Sequence, residues 1–119
     1  MQVNIPVSVG ELIDKITILE IKAFLSDNQY IQKELDELNK IKYTITQFIL
    51  DYEFELKKIN EKLWKIEDKI REKERLQEFD EEFIELARSV YINNDKRAEI
   101  KKKINQLCDS VYREVKIYT

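Results

Sequence analysis

LDELNKIKYTITQFILDYEFELKKINEKLWKIEDKI, residues 35–70, carries apolar side chains at alternating steps of three and four. They are Leu35, Leu38, Ile45, Ile49, Tyr52, Leu56, Ile59, Leu63, Ile66 and Ile70, and only Lys42 falls out of pattern. This is a heptad seam about five repeats long, the signature of a helix that offers one apolar edge to partner helices. The surroundings agree with it. The only proline is Pro6 and the only glycine is Gly10, so the chain beyond residue 10 lacks both strong breakers of regular structure. The predicted fold is all-α, a single helical domain over residues 1–119. A long central heptad-patterned helix has three shorter helices packed on it, with short extended N- and C-terminal segments.

Residues 1–7 alternate and hold Pro6, which reads as an extended arm. Ser8 and Glu11 form a capping box at the start of a helix running to Leu25, and Ser26-Asp27-Asn28 stops it and caps the next. That first helix is apolar most of the way round, the pattern of a central element. The long helix is expected from about Asn28 to Leu76, on the order of 70 Å. Its weakest stretch is Ile41–Phe54, where Tyr43, Thr44, Ile45 and Thr46 are poor helix formers, but the seam register continues across it. Asp80 is an N-cap, with Phe79 and Ile84 placed as a hydrophobic staple. Asn93-Asn94 reads as a stop, and Asp95 as the cap of a last helix to about Ser110. The alternation Val111, Arg113, Val115, Ile117 favours a short strand pairing with residues 2–7 over a frayed helix end.

Composition narrows the function classes. The chain has 43% hydrophobic and 38% charged residues at a net charge of −3, which is the make-up of a helical bundle and not of a dedicated nucleic-acid binder. No apolar run is long enough to span a bilayer, and there is no signal-peptide pattern. A single cysteine, Cys108, forms no internal disulfide, and the expected location is the cytoplasm. The absence of histidine removes the commonest general base and zinc ligand. No cofactor and no metal is expected; any metal site would be built of carboxylates.

Three groups of residues stand out. Glu20 sits in the apolar stripe between Ile16 and Phe24, where a carboxylate is either paired or functional. Asn60, Trp64, Glu67, Arg71 and Glu74 fall on one helical face, with the only tryptophan among them. Arg88, Tyr91, Asn94, Asp95 and Arg97 cluster around the last helix junction. With 16 lysines and five arginines, the chain reserves arginine for few places, as expected where a planar donor fork is needed. Each group has a plainer reading as an ion pair, a solvated face or a structural polar network between helices. The pairs Glu11/Asp14 and Glu34/Glu37 have magnesium-ligand spacing, but such pairs arise by chance in so acidic a chain. The basic run Lys96, Arg97 and Lys101–Lys103 reads as a solvated face.

PVSVGELIDKITILEIK (6–22), LWKIEDKIRE (63–72) and FIELARSVYINNDKRAEIKKKIN (83–105) together resemble a family of small bacterial and phage proteins known only as a domain of unknown function. The resemblance implies no activity. It points to Glu20, Lys22, Trp64, Glu67, Asp68, Arg71, Arg88, Tyr91, Asn94, Asp95 and Arg97, which all lie in the matching blocks.

Two functions follow as expectations. The first is a non-catalytic interaction or scaffold module acting as a homodimer through the Leu35–Ile70 seam, because short helices cannot cover so long an apolar edge. The second is a small enzyme or sensor. It would grip an anionic metabolite or nucleotide with Arg71, Arg88 and Arg97, with magnesium at Glu20 and Glu67.

Overall fold

The computed structural model describes residues 1–118. Four helices account for its regular structure: α1 (Val9–Leu25), α2 (Gln29–Lys42), α3 (Leu50–Leu76) and α4 (Glu81–Leu107). The all-α class is as the sequence indicates, and there is no strand among the described residues. The central element is α1, which packs against each of the other three helices. Ile13 and Ile16 of α1, Leu56 of α3 and Ile104 of α4 are wholly buried and meet in the core.

The chain divides differently from expectation in two places. The long helix breaks at residues 43–49. Thr44 donates from both its amide and its hydroxyl to the Ile41 carbonyl (3.0 and 2.7 Å), so its side chain competes with the helical ladder and ends α2. Ile45 and Ile49 still reach the core across the break, which is why the heptad register survives it. The second difference is at Asn93-Asn94, where α4 continues without interruption. Asn93 Nδ2 donates to the Ser89 carbonyl one turn back (2.7 Å), and neither asparagine adopts a positive φ. Left-handed backbone occurs instead at Gln77, the C-cap of α3, and at Asp109.

Several caps are as read from the sequence. Ser8 Oγ accepts from the Glu11 amide (3.0 Å), Asn28 Oδ1 from the Tyr30 amide (2.9 Å), and Asp80 Oδ1 from the Phe83 amide (3.0 Å). Phe79 packs edge-to-face on Phe83, with ring centroids 5.2 Å apart. The termini do not pair as strands. The C-terminal segment folds back on α4, where Lys101 Nζ lies 2.9 Å from Glu114 and the Tyr118 hydroxyl donates to Asp95 (3.2 Å).

Gly10 has a specific role at the α1–α4 crossing. A Cβ there would stand 2.7 Å from the Lys101 carbonyl oxygen, closer than van der Waals contact permits. Its amide donates to Asn105 Oδ1 (2.7 Å). The sole glycine therefore sets how closely the two backbones approach.

The seam residues turn inward. Leu56 is wholly buried, and Leu35, Ile49 and Ile66 nearly so, within the chain's own core. The molecule is nonetheless extended. Its radius of gyration is 16.2 Å, where a compact domain of this length would have about 13.5 Å.

Candidate functional site

Asp14 is the centre of the polar architecture. It lies on the face of α1 that also carries Gly10, Ile13 and Thr17, and it is 1% exposed. Arg97 of α4 grips its carboxylate with two nitrogens: Nε donates to Oδ1 (2.9 Å) and Nη2 to Oδ2. From α3, Asn60 Nδ2 donates to Asp14 Oδ1 (2.9 Å) and to Thr17 Oγ1 (2.8 Å). Lys101 Nζ stands 3.9 Å from Asp14 and donates to Glu11 (2.8 Å). One carboxylate thus ties three helices together. Geometry of this kind is what a buried ion pair needs to offset the desolvation of its charges.

The cations respond as expected. The hydrogen bond to Asp14 raises the Arg97 guanidinium above its ordinary value, against the opposing effect of burial. Burial pulls the Lys101 ammonium down, but hydrogen bonds to Glu11 and Glu114 and the charge of Asp14 outweigh it, and its pKa is raised. Glu114 is held below the usual carboxylate range by its bond to Lys101. Arg97 and Lys101, expected on a solvated basic face, belong instead to this network. Glu11, expected to close the capping box, is drawn to Lys101.

Beside the network a groove of about 500 Å³ opens between α3 and α4, with Ile18 of α1 at its side. Trp64, Glu67, Asp68 and Arg71 of α3 line it, facing Asn94 and Arg97 of α4. The two expected clusters therefore converge here in part. Asn60, 5% exposed, is also in its lining.

The remaining expected residues lie elsewhere. Glu20 is half-buried and accepts from Lys57 (3.3 Å), the ion pair of its plainer reading. It does not line the groove that Glu67 lines, and among the described residues no three carboxylates or thiols gather as metal ligands. Lys22 and Tyr91 are exposed. Arg88 is exposed and bonded along its own helix to Glu85 (3.2 Å). Asp95 lines clefts on other faces of α4. The arginines do not form a triad: Arg71 and Arg97 share the groove, Arg97 is already occupied by Asp14, and Arg88 is outside. Cys108 is half-buried, and burial pushes its thiol pKa up, away from reactivity.

Asp14 is the residue that sequence reasoning missed. Its signal was present, since it shares a helical face with Ile13 and Thr17 in the most recognisable block. Its i,i+3 relation to Glu11 drew attention to metal spacing instead.

A second feature is the amount of apolar surface left uncovered. Phe24 is 90% exposed, Tyr43 78% and Phe48 70%, and Leu50 and Phe54 are also exposed. Four of these five fall within residues 43–54. There Lys42 Nζ meets Glu53 at 3.0 Å and joins the end of α2 to the start of α3. No helix of the described residues is long and apolar enough to cross a membrane.

The model of a family of unknown function, DUF6165, matches residues 1–119. No curated protein and no solved structure matches the chain.

Proposed function

We propose, for a chain that belongs to the DUF6165 family of unknown function, a role as a non-catalytic helical interaction module that works in the cytoplasm as a homodimer. The observation that carries this reading is the exposed area. The chain presents 8884 Å² to solvent, where a compact monomer of its mass presents about 6,800 Å². The extended ends account for part of the excess. The aromatic residues of the α2–α3 junction account for another part, and they are the part a partner would cover.

The second copy seats on the Leu35–Ile70 stretch. It does so not through the seam residues, which fill the chain's own core, but through their exposed neighbours Ile41, Tyr43, Phe48, Leu50 and Phe54. A standard interface removes about 800 Å² from each partner, which the excess area readily supplies. Several large apolar side chains exposed within one short stretch favour an interaction surface. Multi-angle light scattering at micromolar concentration tests the reading. The expected mass is twice the 14.4 kDa of one chain, and a monomer overturns it.

A further inference from the structure

The arm ahead of α1 carries a strand edge that the described residues leave unpaired. Residues 1–7 contain no turn, and Ser8 at their end is extended (φ −70°, ψ 156°). Gln2 Nε2 donates to Asn4 Oδ1 (3.0 Å), so these two side chains share one face. The alternation of an extended chain then places Val3, Ile5 and Val7 on the other. Val3 and Ile5 are each 71% exposed. No backbone–backbone hydrogen bond involves residues 1–7 among the described residues.

In an extended chain the amide and carbonyl of one residue face the same edge, and successive residues alternate between edges. Val3, Ile5 and Val7 therefore present one edge with all three amides intact, and Pro6 belongs to the other. Natural sheets blunt their free edges with charge or proline. Here the proline blocks one edge alone, and no side chain of residues 1–7 is charged.

The sequence of the open edge says what fits it. Val3, Ile5, Val7 reads the same in both directions about Ile5. Laid antiparallel on a second copy, the arm sets Ile5 against Ile5 and Val3 against Val7, and each is a hydrogen-bonded pair that exchanges two bonds. β-Branched side chains then face each other across every pair, as strands favour. A closed two-fold dimer needs a self-complementary patch of this kind. The arm also adjoins the surface given to the partner, because with α1 and α2 it walls a groove of about 980 Å³ whose lining includes Ile41. The C-terminal segment of the same chain is not the occupant, since Glu114 and Tyr118 hold it on α4.

We infer that residues 3–7 of two copies join as a two-stranded antiparallel ribbon with Ile5 on the two-fold axis. The inference rests on the homodimer reading and names the segment that lies at the centre of that dimer.

Cysteine trapping in the full chain tests it. A Cys108→Ser background removes the only native thiol, and circular dichroism checks that helicity is kept. In that background Ile5→Cys places two thiols on α-carbons about 5.5 Å apart, inside the roughly 4.4–6.8 Å that a disulfide spans. In a glutathione redox buffer Ile5→Cys is expected to form a disulfide-linked dimer roughly tenfold or more faster than Lys69→Cys, an exposed position on α3, because the ribbon raises the effective thiol concentration. A mixture of Val3→Cys and Val7→Cys chains links between the two variants faster than within either. Ile5→Lys sets two like charges on the axis and shifts light scattering toward the 14.4 kDa of one chain. A dimeric mass with Ile5→Cys linking no faster than Lys69→Cys overturns this inference and leaves the homodimer reading standing. So does Val3→Cys linking to itself as fast as to Val7→Cys, or an unshifted mass in Ile5→Lys. A monomeric mass for the unsubstituted chain overturns both.

Discussion

Asp14 is the polar side chain that joins α1 to both α3 and α4. Asp14→Ala leaves Arg97 facing a buried void without its anion, while Lys101 keeps Glu11 and Glu114. Breaking such a pair costs about 3–5 kcal/mol, so the melting temperature should fall by roughly 10–20 °C. Adding Arg97→Leu removes one stranded charge and should recover part of the loss, a coupling that a double-mutant cycle in thermal denaturation measures. Asn93 offers the opposite test. Its Oδ1 is buried without a partner, so Asn93→Met removes an unsatisfied acceptor and adds a better helix former. A gain on the order of 1 kcal/mol is expected in urea unfolding. The Lys101–Glu114 tie also has a pH signature. The Glu114 pKa is depressed by folding, so its contribution is present above its ordinary value of 4.5 and is lost as pH falls through the lower folded value. Lys101 is raised by folding, so its contribution is present below 10.5 and is lost as pH rises through the higher folded value. Methyl NMR of Val115 and Ile117 should therefore show the C-terminal segment released at both acid and alkaline extremes.

At the scale of the elements, the turn between α3 and α4 is held by charge. Lys73 Nζ lies within 3.2 Å of Glu78, Asp80 and Glu82, and its hydrogen bond to Asp80 holds that carboxylate below the usual range. Asp80 also caps α4, so Asp80→Ala should lower the melting temperature in thermal unfolding. Legibility in the sequence follows from which signals are local. The start of α1, the stop at Ser26–Asn28 and the cap at Asp80 were readable because each depends on residues within one turn. The break at residues 43–49 was visible as poor helix formers, but the heptad count outweighed it. A loop that keeps its isoleucines in the core looks the same as a helix in that count. Asn93-Asn94 misled in the other direction, since their side chains support the helix they were expected to end. The convergence of Trp64, Glu67 and Arg71 with Asn94 and Arg97 was legible from helical faces alone. The pairing of Arg97 with Asp14 was not, because it spans 83 residues and no spacing rule reaches that far.

For the whole molecule, the elongated shape and the uncovered α2–α3 junction carry the prediction of self-association. Phe48→Glu with Tyr43→Lys should shift light scattering toward the monomer mass while leaving circular dichroism unchanged, because both side chains are exposed. Loss of helicity in that variant would mean that the junction is structural. The position of the buried carboxylate at the start of the chain also bears on how the protein is made. α3 and α4 are neighbours joined by a short turn, so they can pair as soon as both exist. α1 is synthesised before α4, yet Arg97, which pairs with Asp14, lies 83 residues further on and Asn105, which receives the Gly10 amide, 95 residues further on. The face of α1 that carries Gly10 and Asp14 therefore stays open until α4 has been translated, although α2 can cover another face earlier. Its docking is the step at which the fold becomes complete, and the nascent chain is most exposed to aggregation and chaperones just before it.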